Sequence, residues 1–312
     1  MTDPDRPPDP GAGPESETFR SGFVALAGRA NVGKSTLMNR LVGSKLSIVS
    51  PVPQTTRFPV RGVLNRRDAQ VVFIDTPGIH KPRFRMNREM VRLATRVLRD
   101  VDLIGMLVDA SEGVGPGDRF ALDLVRGSGG RAILILNKID LMRRERLLPL
   151  LAQADGLGLF QDLVPVSALT GENCDRLERV ILDRMAPGRP LFPPEMLTDL
   201  PERLAVSEII REQVCLKTRQ EVPHATAVMV ETLGGERGGL VRIDATIFVE
   251  RPSQKAILIG EGGRMMKEIG TAARLSLEGF LGSRVHLSLW VKVKERWRDD
   301  VSLLRLIGLP LP

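Results

Sequence analysis

The chain has few of the residues that mark secreted or membrane proteins. Its 312 residues include only two cysteines, Cys174 and Cys215, which are too few for a disulfide framework and predict two buried, unreactive thiols. No apolar run approaches the roughly 20 residues of a bilayer-spanning helix, and the first residues lack the basic and apolar regions of a signal peptide. We therefore expect a cytoplasmic protein, and no internal repeat is evident.

The composition predicts a disordered start followed by two domains. Residues 1–18 are rich in proline, glycine and acidic groups, which is typical of a disordered tail. The chain is long for one core and sufficient for two. A linker rich in proline at residues 187–200, which we predict neither continues a helix nor pairs within a sheet, separates residues 19–186 from residues 201–312.

A phosphate-binding loop is encoded early in the first domain. Residues 28–35 read Gly-Arg-Ala-Asn-Val-Gly-Lys-Ser, between a strand-like run at 22–27 and a predicted helix at 36–41. This arrangement aims a row of backbone N–H groups at one point, where a nucleoside di- or triphosphate fits. Lys34 is expected to reach the terminal phosphates, and the Ser35 hydroxyl to bind a bridging Mg²⁺ ion.

A carboxylate for the same ion follows a second strand. Asp75 begins the sequence Asp-Thr-Pro-Gly, directly after an apolar run at 70–74 that is typical of a buried parallel strand. An aspartate in this position lies beside the phosphate loop and can hold Mg²⁺ through water. Gly78 lets its backbone N–H approach the γ-phosphate.

A third element predicts the base. After the apolar run at 131–136 the chain reads Asn137-Lys138-Ile139-Asp140. The Asp140 carboxylate can accept two N–H bonds from guanine, which adenine does not offer, and leaving such a group unpaired discriminates strongly between bases. The three elements in this order predict a guanine-nucleotide site.

With these motifs the first domain resembles the translation-factor-related GTPases, which have a doubly wound α/β sheet. The resemblance implies a switch threonine that closes on Mg²⁺ and the γ-phosphate, and Thr56 is preferred to Thr55 for this role. It also implies that Ser167 and Ala168 support the guanine. The candidate catalytic residues are Lys34, Thr56 and Gly78, and the candidate Mg²⁺ ligands are Ser35, Thr56 and Asp75. The predicted nucleotide-binding residues are Gly28, Asn31, Val32, Gly33, Lys34, Ser35, Thr36, Asp75, Gly78, Asn137, Lys138, Asp140, Ser167 and Ala168.

Two positions bear on the rate of hydrolysis. Ile79 stands where Ras-like enzymes carry the glutamine that orients water, and it can neither donate nor accept a hydrogen bond, so unassisted hydrolysis should be slow. No arginine of the switch regions can be assigned as a finger. The resemblance implies that Asn31 helps to coordinate K⁺ in that role; the alternative is that Asn31 only tolerates a tight loop conformation.

The second domain has a different pattern. A helical stretch at 201–217 precedes two strands around a glycine-rich turn at 234–239, and the second strand alternates apolar and polar residues over 241–250 as in a sheet with one buried face. A helix ending at residue 259, the loop Gly260-Glu261-Gly262-Gly263, a helix with an apolar stripe from Met266 to Phe280, and an alternating strand at 285–293 complete the order.

This order resembles the prokaryote-type (type II) KH domain, an α+β fold whose Gly-x-x-Gly loop clamps about four nucleotides of single-stranded RNA or DNA. The variable loop positions hold Glu261 and Gly262, where a basic residue would be usual. Phosphate contact then depends on backbone N–H groups, helix polarity and basic neighbours. The predicted RNA-binding residues are Lys255, Gly260, Glu261, Gly262, Gly263, Arg264 and Lys267.

A GTPase domain followed by a KH domain resembles the Era family of ribosome-assembly GTPases, within the TrmE-Era-EngA-like group. The match includes residues 207–212 and 286–294, which have no nucleotide role. The resemblance implies GTP-gated binding to the 3′ end of small-subunit (16S) ribosomal RNA, a role in small ribosomal subunit assembly and maturation, and a monomer. Peripheral contact with the inner membrane is a further expectation.

Alternatives stay open at this stage. A tRNA-modifying or membrane-associated regulatory GTPase would share residues 28–168 but not the KH order, and a non-enzymatic RNA-binding scaffold would tolerate loss of Lys34 or Asp140. The net charge of +7 fits a polyanionic partner. The positive excess is not concentrated in residues 201–312. The densest cluster of basic residues can be interpreted either as a solvated helix face or as a contact with the ribosome. That cluster consists of Lys81, Arg83, Arg85, Arg88 and Arg92.

Overall fold

The computed structural model describes residues 19–50, 52, 55–80, 82, 84–235 and 239–309. The predicted tail at residues 1–18 lies outside the described residues. The first sheet contains β1 (Arg20–Ala27), β2 (Val60–Asn65), β3 (Ala69–Asp75), β4 (Leu103–Asp109), β5 (Ala132–Asn137), β6 (Leu163–Pro165) and β7 (Ala186–Pro187). Its helices are α1 (Lys34–Val42), α2 (Arg85–Arg99), α3 (Pro116–Ser128), α4 (Leu147–Asp155) and α5 (Cys174–Arg184).

The first sheet has the strand order β2-β3-β1-β4-β5-β6. Only β2 is antiparallel to its neighbour in this path. Every residue of β3, β4 and β5 is buried, because α1 and α5 cover one face of the sheet and α2, α3 and α4 cover the other. The predicted doubly wound fold is confirmed, and it brings the carboxyl ends of the central strands to one edge.

The chain after α5 returns to the first strand. Ala186 pairs with Ser21 and Pro187 with Arg20 in an antiparallel bridge, so the prediction that this stretch cannot pair within a sheet is wrong. The pairing is possible because β4 meets β1 only from Val24 onward and leaves the start of β1 open. Proline lacks an N–H donor but is tolerated at the end of so short a strand.

The rest of the predicted linker lies against the first domain. The Gln70 side-chain oxygen accepts hydrogen bonds from the backbone N–H groups of Leu191 and Phe192 at 2.6 and 2.9 Å. The Val63 N–H donates to the Leu197 carbonyl at 2.8 Å. These contacts fix the path of the chain between the two sheets.

The second sheet is smaller and has the order β10-β9-β8. It contains β8 (Ala227–Gly235), β9 (Leu240–Val249) and β10 (Arg284–Val293), with helices α6 (Glu202–Lys217), α7 (Pro252–Ile259), α8 (Arg264–Leu281) and α9 (Val301–Leu306). β9 is antiparallel to β8 and parallel to β10. α6, α7 and α8 pack on one face of this sheet. The predicted KH order is confirmed, while residues 236–238 of the predicted turn lie outside the described residues.

Two packing predictions for the second domain are wrong. β9 is buried on both faces from Ile243 to Val249. On the face that we expected to meet solvent, Phe248 packs against α2 and the C-terminal segment, and the Thr246 hydroxyl donates to Glu231 of β8. Phe280 is 44 % exposed, although it continues the α8 stripe, because it lies beside Leu46 and Ile48 of the first domain in a cleft and not over the sheet.

One apolar cluster is shared by the two domains. Met86 and Met90 of α2 pack with Phe248 of β9 and with Trp297 and Leu304 of the C-terminal segment. Trp297 is fully buried, and its indole N–H donates to the Ala225 carbonyl at 2.8 Å. The helix that follows the Asp75–Gly78 motif is therefore packed directly against the KH domain.

Both cysteines are buried, as predicted. Among the described residues, none of the helices combines the length and apolar content of a bilayer-spanning segment.

Candidate functional site

A cleft of about 540 Å³ opens at the carboxyl edge of the first sheet. It is formed by the phosphate loop, the first switch, the start of the second switch and the loops after β5 and β6. Its lining residues are Ala30, Asn31, Gly33, Lys34, Ser35, Thr36, Ile48, Val49, Ser50, Thr55, Thr56, Gly78, Lys138 and Leu169.

Two glycines set the path of the phosphate loop. Gly28 and Gly33 have φ values of 143° and 95°, which favour glycine. A Cβ on Gly33 would lie 2.2 Å from Nδ2 of Asn137, and one on Gly28 would lie 2.5 Å from the Leu107 carbonyl oxygen. Since Gly33 caps α1, the loop delivers its N–H groups to the positive end of a helix.

Lys34 is buried inside the loop that it serves. Only 6 % of the residue is exposed, and its ammonium group donates to the carbonyls of Gly28 and Arg29 at 3.1 and 2.8 Å. Burial lowers the pKa of Lys34 to about 8, against the opposing effect of Asp75. The loop thus holds a cation at the entrance of the phosphate site without a carboxylate in direct contact.

Ser35, Thr56 and Asp75 form a compact oxygen cluster. Oδ2 of Asp75 accepts hydrogen bonds from the Ser35 hydroxyl at 2.6 Å and from the Thr56 hydroxyl at 3.1 Å, and the two hydroxyls are 3.0 Å apart. Oδ1 of Asp75 is buried without a hydrogen-bond partner among the described residues, and burial raises the pKa of this carboxyl. Hydroxyl and carboxylate oxygens with an unsatisfied buried oxygen suit Mg²⁺.

The two switch threonines point to different partners. The Thr55 hydroxyl lies 2.7 Å from the Ser50 hydroxyl and donates to the Val52 carbonyl at 2.6 Å. The Thr56 hydroxyl instead contacts the Ser35 hydroxyl and the Asp75 carboxylate. This geometry favours Thr56 as the metal-closing threonine.

Gly78 allows the second switch to lie on the phosphate loop. A Cβ at Gly78 would be 2.9 Å from the Cα of Ala30, and the N–H of Ile79 donates to the Gly28 carbonyl at 3.1 Å. The Ile79 side chain is 1 % exposed and packs into the apolar core on the α2 side of the sheet. It therefore neither reaches the cleft nor offers a group that orients water.

Asn137 joins three loops and is itself buried. Its Nδ2 donates to the Val32 carbonyl at 2.7 Å, and its Oδ1 accepts from the N–H of Ala168 at 2.9 Å. Ser167 is also fully buried, and its hydroxyl accepts from the Thr170 N–H at 3.1 Å. These residues position the nucleotide-binding loops.

Lys138 lines the cleft, and Asp140 follows it in the next turn of the chain. The Lys138 ammonium pairs with Asp109 at 2.7 Å. Burial alone would raise the pKa of Asp109, but the hydrogen bonds from Lys138 and Ser111 hold it below its ordinary value. Asp140 is exposed in the 3₁₀ turn Ile139–Leu141, where its carboxylate can meet a base.

Three predicted residues of the phosphate loop have different environments. Asn31 is exposed and has a φ of 65°, a left-handed conformation that asparagine tolerates. Val32 is fully buried, and Thr36 is partly buried on the wall of the cleft. Val32 therefore contributes backbone only, and both interpretations of Asn31 remain compatible with its position.

The Gly-x-x-Gly loop has two kinds of glycine. A Cβ on Gly260, which has a φ of 71°, would lie 2.7 Å from the Cβ of Met265. Gly262 and Gly263 also have positive φ, but a Cβ there would meet open space. Gly263 caps α8, so the loop presents backbone to the positive end of that helix. Around it, Lys255 is partly buried, Lys267 is exposed, and Arg264 pairs with Glu268 at 3.2 Å.

The sequence did not reveal how the first switch is attached to the second domain. Glu212 of α6 is buried and accepts from the Val49 N–H at 2.9 Å and from the Lys45 ammonium at 2.6 Å. Arg211 of α6 is buried, donates to the Thr55 carbonyl and pairs with Glu208. The only sequence signal was the family match at residues 207–212.

Arg57 completes this attachment. Its guanidinium lies 5.3 Å from the centre of the Trp297 ring, the residue is 4 % exposed, and its Nε has no hydrogen-bond partner among the described residues. Burial and then the nearby Arg211 lower the pKa of Arg57 to about 9. In this conformation Arg57 faces the KH domain and does not line the nucleotide cleft.

Known proteins share both parts of this arrangement. A family model described as a 50S ribosome-binding GTPase matches residues 23–138, and a KH domain model matches residues 221–298. The GTPase Era of Alkaliphilus oremlandii is 46 % identical over 292 residues, which are 93 % of this chain and 99 % of that protein. This chain belongs to the Era family of GTPases. GTPase Era of Staphylococcus haemolyticus is 44 % identical over 93 % of this chain and 97 % of its own length.

Solved Era structures extend the similarity to the arrangement of both domains. A variant of Aquifex aeolicus Era bound to GDP and AlF₄⁻ is 40 % identical, with a TM-score of 0.91 over 94 % of this chain and 100 % of that chain. An Era complex with MgGDPNP and nucleotides 1506–1542 of 16S ribosomal RNA matches with the same identity, TM-score and coverage. As an Era-family protein, this chain is a GTPase.

Proposed function

We propose that this GTPase binds the single-stranded 3′ end of small-subunit ribosomal RNA in its GTP-bound state and assists maturation of the small ribosomal subunit. The proposal is supported by the similarity, over 94 % of the chain, to the Era complex that contains MgGDPNP and nucleotides 1506–1542 of 16S ribosomal RNA. Its RNA site is the loop from Gly260 to Gly263 at the start of α8. We expect a monomer that works in the cytoplasm.

The residues of the cleft have separate roles in GTP binding and hydrolysis. The phosphate loop and Lys34 hold the phosphates, and Asp140 selects guanine. Ser35, Thr56 and Asp75 are the residues that would hold Mg²⁺, which when bound offsets the charge that develops on the phosphates. Because Ile79 offers no group to orient water, we expect slow turnover without a partner.

We propose that a potassium ion supplies the positive charge that an arginine finger would bring to the phosphates. Asn31 is exposed on the wall of the cleft. A K⁺ ion held by its side chain would offset the negative charge that develops on the phosphates, as an arginine finger does. Replacing potassium by sodium should lower the hydrolysis rate, and Asn31→Ala should remove that difference while GDP affinity serves as the control. A wild-type rate that is indifferent to the cation would leave Asn31 as a loop-shaping residue.

The first switch provides a route from nucleotide to RNA. Thr56 contacts Ser35 and Asp75, whereas its two chain neighbours contact the second domain: Thr55 through Arg211, and Arg57 through Trp297. A movement of Thr56 toward Mg²⁺ and the γ-phosphate must therefore alter contacts of the KH domain. By linkage, RNA that favours the closed switch should strengthen GTP binding by the same factor.

The test measures the affinity of the full chain for a single-stranded ribosomal 3′-end oligonucleotide with a GTP analogue, with GDP and without nucleotide. We expect the tightest binding with the analogue. Equal affinities in the three states would refute the coupling but leave the two sites standing.

Gly262 is the better position for a loop variant. Gly260→Asp would force a side chain against Met265, whereas a Cβ on Gly262 meets open space. Aspartate and asparagine both tolerate a positive φ, so Gly262→Asp and Gly262→Asn form a pair that differs in charge. Gly262→Asp should lose most RNA affinity and Gly262→Asn much less, with GTP binding unchanged in both. Unchanged RNA binding by Gly262→Asp would refute the RNA site.

A further inference from the structure

One side of α2 carries a continuous row of arginines. Arg85, Arg88, Arg92, Arg96 and Arg99 follow one another at intervals of three, four, four and three residues. At 3.6 residues per turn these positions fall within an arc of about 80°, and the row is about 21 Å long. We call these five residues the α2 arginine row.

The other side of α2 is fixed in the fold. Met86, Met90 and Leu98 are buried there, so the row faces outward, and Arg88, Arg96 and Arg99 are exposed. Arg92 pairs with Glu89 at 2.7 Å. In the part of the chain that the structure describes, no acidic side chain forms an ion pair with the three exposed arginines.

The first half of the row is unfavourable for helix stability. Like charges three and four residues apart weaken a helix. The first turn of α2 contains Arg85 and Arg88 and no acidic residue, and Phe84 at its N-cap makes no side-chain cap bond. Cations at this end oppose the helix dipole. Arg96 and Arg99 lie in the last turn and complement the dipole, but Arg85 and Arg88 reduce helix stability, which indicates that these charges serve binding.

We propose that the α2 arginine row binds the phosphate backbone of an RNA strand, as a second RNA contact distinct from the Gly260–Gly263 loop. Guanidinium groups match phosphate oxygens with paired N–H donors. Successive members of the row are separated by about 4.5 to 6 Å along the helix axis. A line of cations at this spacing is complementary to a linear polyanion.

The surroundings of the row favour RNA over a membrane. A helix that binds a lipid surface inserts its apolar face, but here Met86 and Met90 are packed against Phe248 and Trp297. The N-terminal end of the row also lies against the RNA-binding domain, because the N–H of Arg85 donates to Asp299 at 2.9 Å. One strand of RNA can therefore contact both domains.

The test compares two RNA probes with the full chain loaded with a GTP analogue. The short probe is a 3′-end single strand that fills only the KH loop, about four nucleotides; the long probe adds the preceding small-subunit sequence. The variant R88Q/R96Q/R99Q should lose about 10- to 100-fold in affinity for the long probe at about 0.1 M salt, and the slope of log affinity against log salt should fall by about 2. Its affinity for the short probe should be unchanged.

A matched control removes the same charge elsewhere. R67Q/R176Q/R179Q changes three exposed arginines outside α2 and should keep most affinity for the long probe. The melting temperature of R88Q/R96Q/R99Q should stay close to that of the wild type, because the loss of Arg96 and Arg99 from the last turn and of Arg88 from the first turn have opposite effects on the helix; a structural role of the row would lower it clearly.

Two outcomes would overturn the proposal. The first is equal affinity of the row variant and the control for the long probe. The second is loss of binding to phosphatidylglycerol vesicles with RNA affinity unchanged, which would assign the row to a membrane surface. Failure of the KH site would look different, because Gly262→Asp would then bind the short probe normally.

Discussion

At the scale of single residues, Lys34 shows how burial prepares a site for its ligand. The ammonium group is enclosed by its own loop and bonded to two carbonyls, and burial lowers its pKa to about 8. A bound phosphate adds negative charge and must raise that pKa. The nucleotide therefore binds most tightly to a protein in which Lys34 is protonated.

This linkage predicts a pH dependence of nucleotide affinity. Above about pH 8 the free protein loses the Lys34 proton, and binding must restore it, so GDP affinity should fall as the pH rises, by up to about tenfold per unit. Titrations of GDP across this range, with calorimetry to count the protons taken up, provide the measurement. Lys34→Ala should bind weakly at every pH and show no proton uptake. An affinity that is flat in the wild type would contradict the lowered pKa.

A second prediction concerns the choice of base. Asp140 is exposed two residues after Lys138, which lines the cleft, and its carboxylate should accept two guanine N–H bonds. Asp140→Asn should weaken GTP binding by about 100-fold or more and shift preference toward xanthosine nucleotides. The nearby exposed Glu145→Gln is the matched control and should bind GTP normally. Equal affinity of the wild type for ATP and GTP would refute the assignment of Asp140.

At the scale of elements, α6 carries buried charges that hold the first switch. Arg211 is paired with Glu208 and donates to the Thr55 carbonyl. Arg211→Met should leave Glu208 without its partner and reduce the free energy of unfolding by about 3 kcal/mol. The double variant Arg211→Met with Glu208→Leu should recover much of that loss, as measured by denaturant unfolding.

The double variant also separates stability from coupling. In both variants the residue at position 211 cannot donate a hydrogen bond to the Thr55 carbonyl. The dependence of RNA affinity on the GTP analogue should therefore be reduced in both, although the double variant recovers stability. If the double variant kept full nucleotide dependence, α6 would be only a structural support.

Elements that depend on local sequence were predictable. The order of strand, glycine turn and helix around Gly33, Lys34 and Ser35 is set by backbone conformations over a few residues, and the sequence predicted it. The place of Asp75 beside Ser35 followed from the parallel sheet.

Elements that depend on contacts between distant segments were not predictable. Arg57, Arg211 and Glu212 are charged, so a pattern of exposed polar residues was the reasonable interpretation, yet all three are buried. Their burial exists only because the second domain packs on the first switch. Phe248 of β9 is likewise buried by α2 and the C-terminal segment, and no periodicity within that strand records these contacts.

At the scale of the whole molecule, the cluster of Met86, Met90, Phe248, Trp297 and Leu304 makes the two domains depend on each other. Interfaces of this kind restrict domain motion when they are apolar. Because α2 directly follows the second switch and packs against the KH domain, movement of this helix changes its contacts with the KH domain.

This dependence predicts a single unfolding transition. Both tryptophans, Trp290 and Trp297, lie in the second domain, so tryptophan fluorescence reports that domain and release of GDP reports the first. The two signals should change together in the wild type. Met90→Ala, which empties a fully buried position, should cost about 2 to 5 kcal/mol and lower both midpoints. If only GDP release moved, the domains would unfold independently.

The bridge between Pro187 and Arg20 has a consequence for synthesis of the chain. β1 is the first described strand to leave the ribosome. The residues that pair with the open edge at its start come from β7, at the far end of the GTPase domain. During translation, which proceeds at about 5 to 20 residues per second, that edge stays unpaired until residue 187 has emerged. The sheet of the GTPase domain is therefore completed only as the ribosome begins to deliver the RNA-binding domain, so the two folding events follow each other closely.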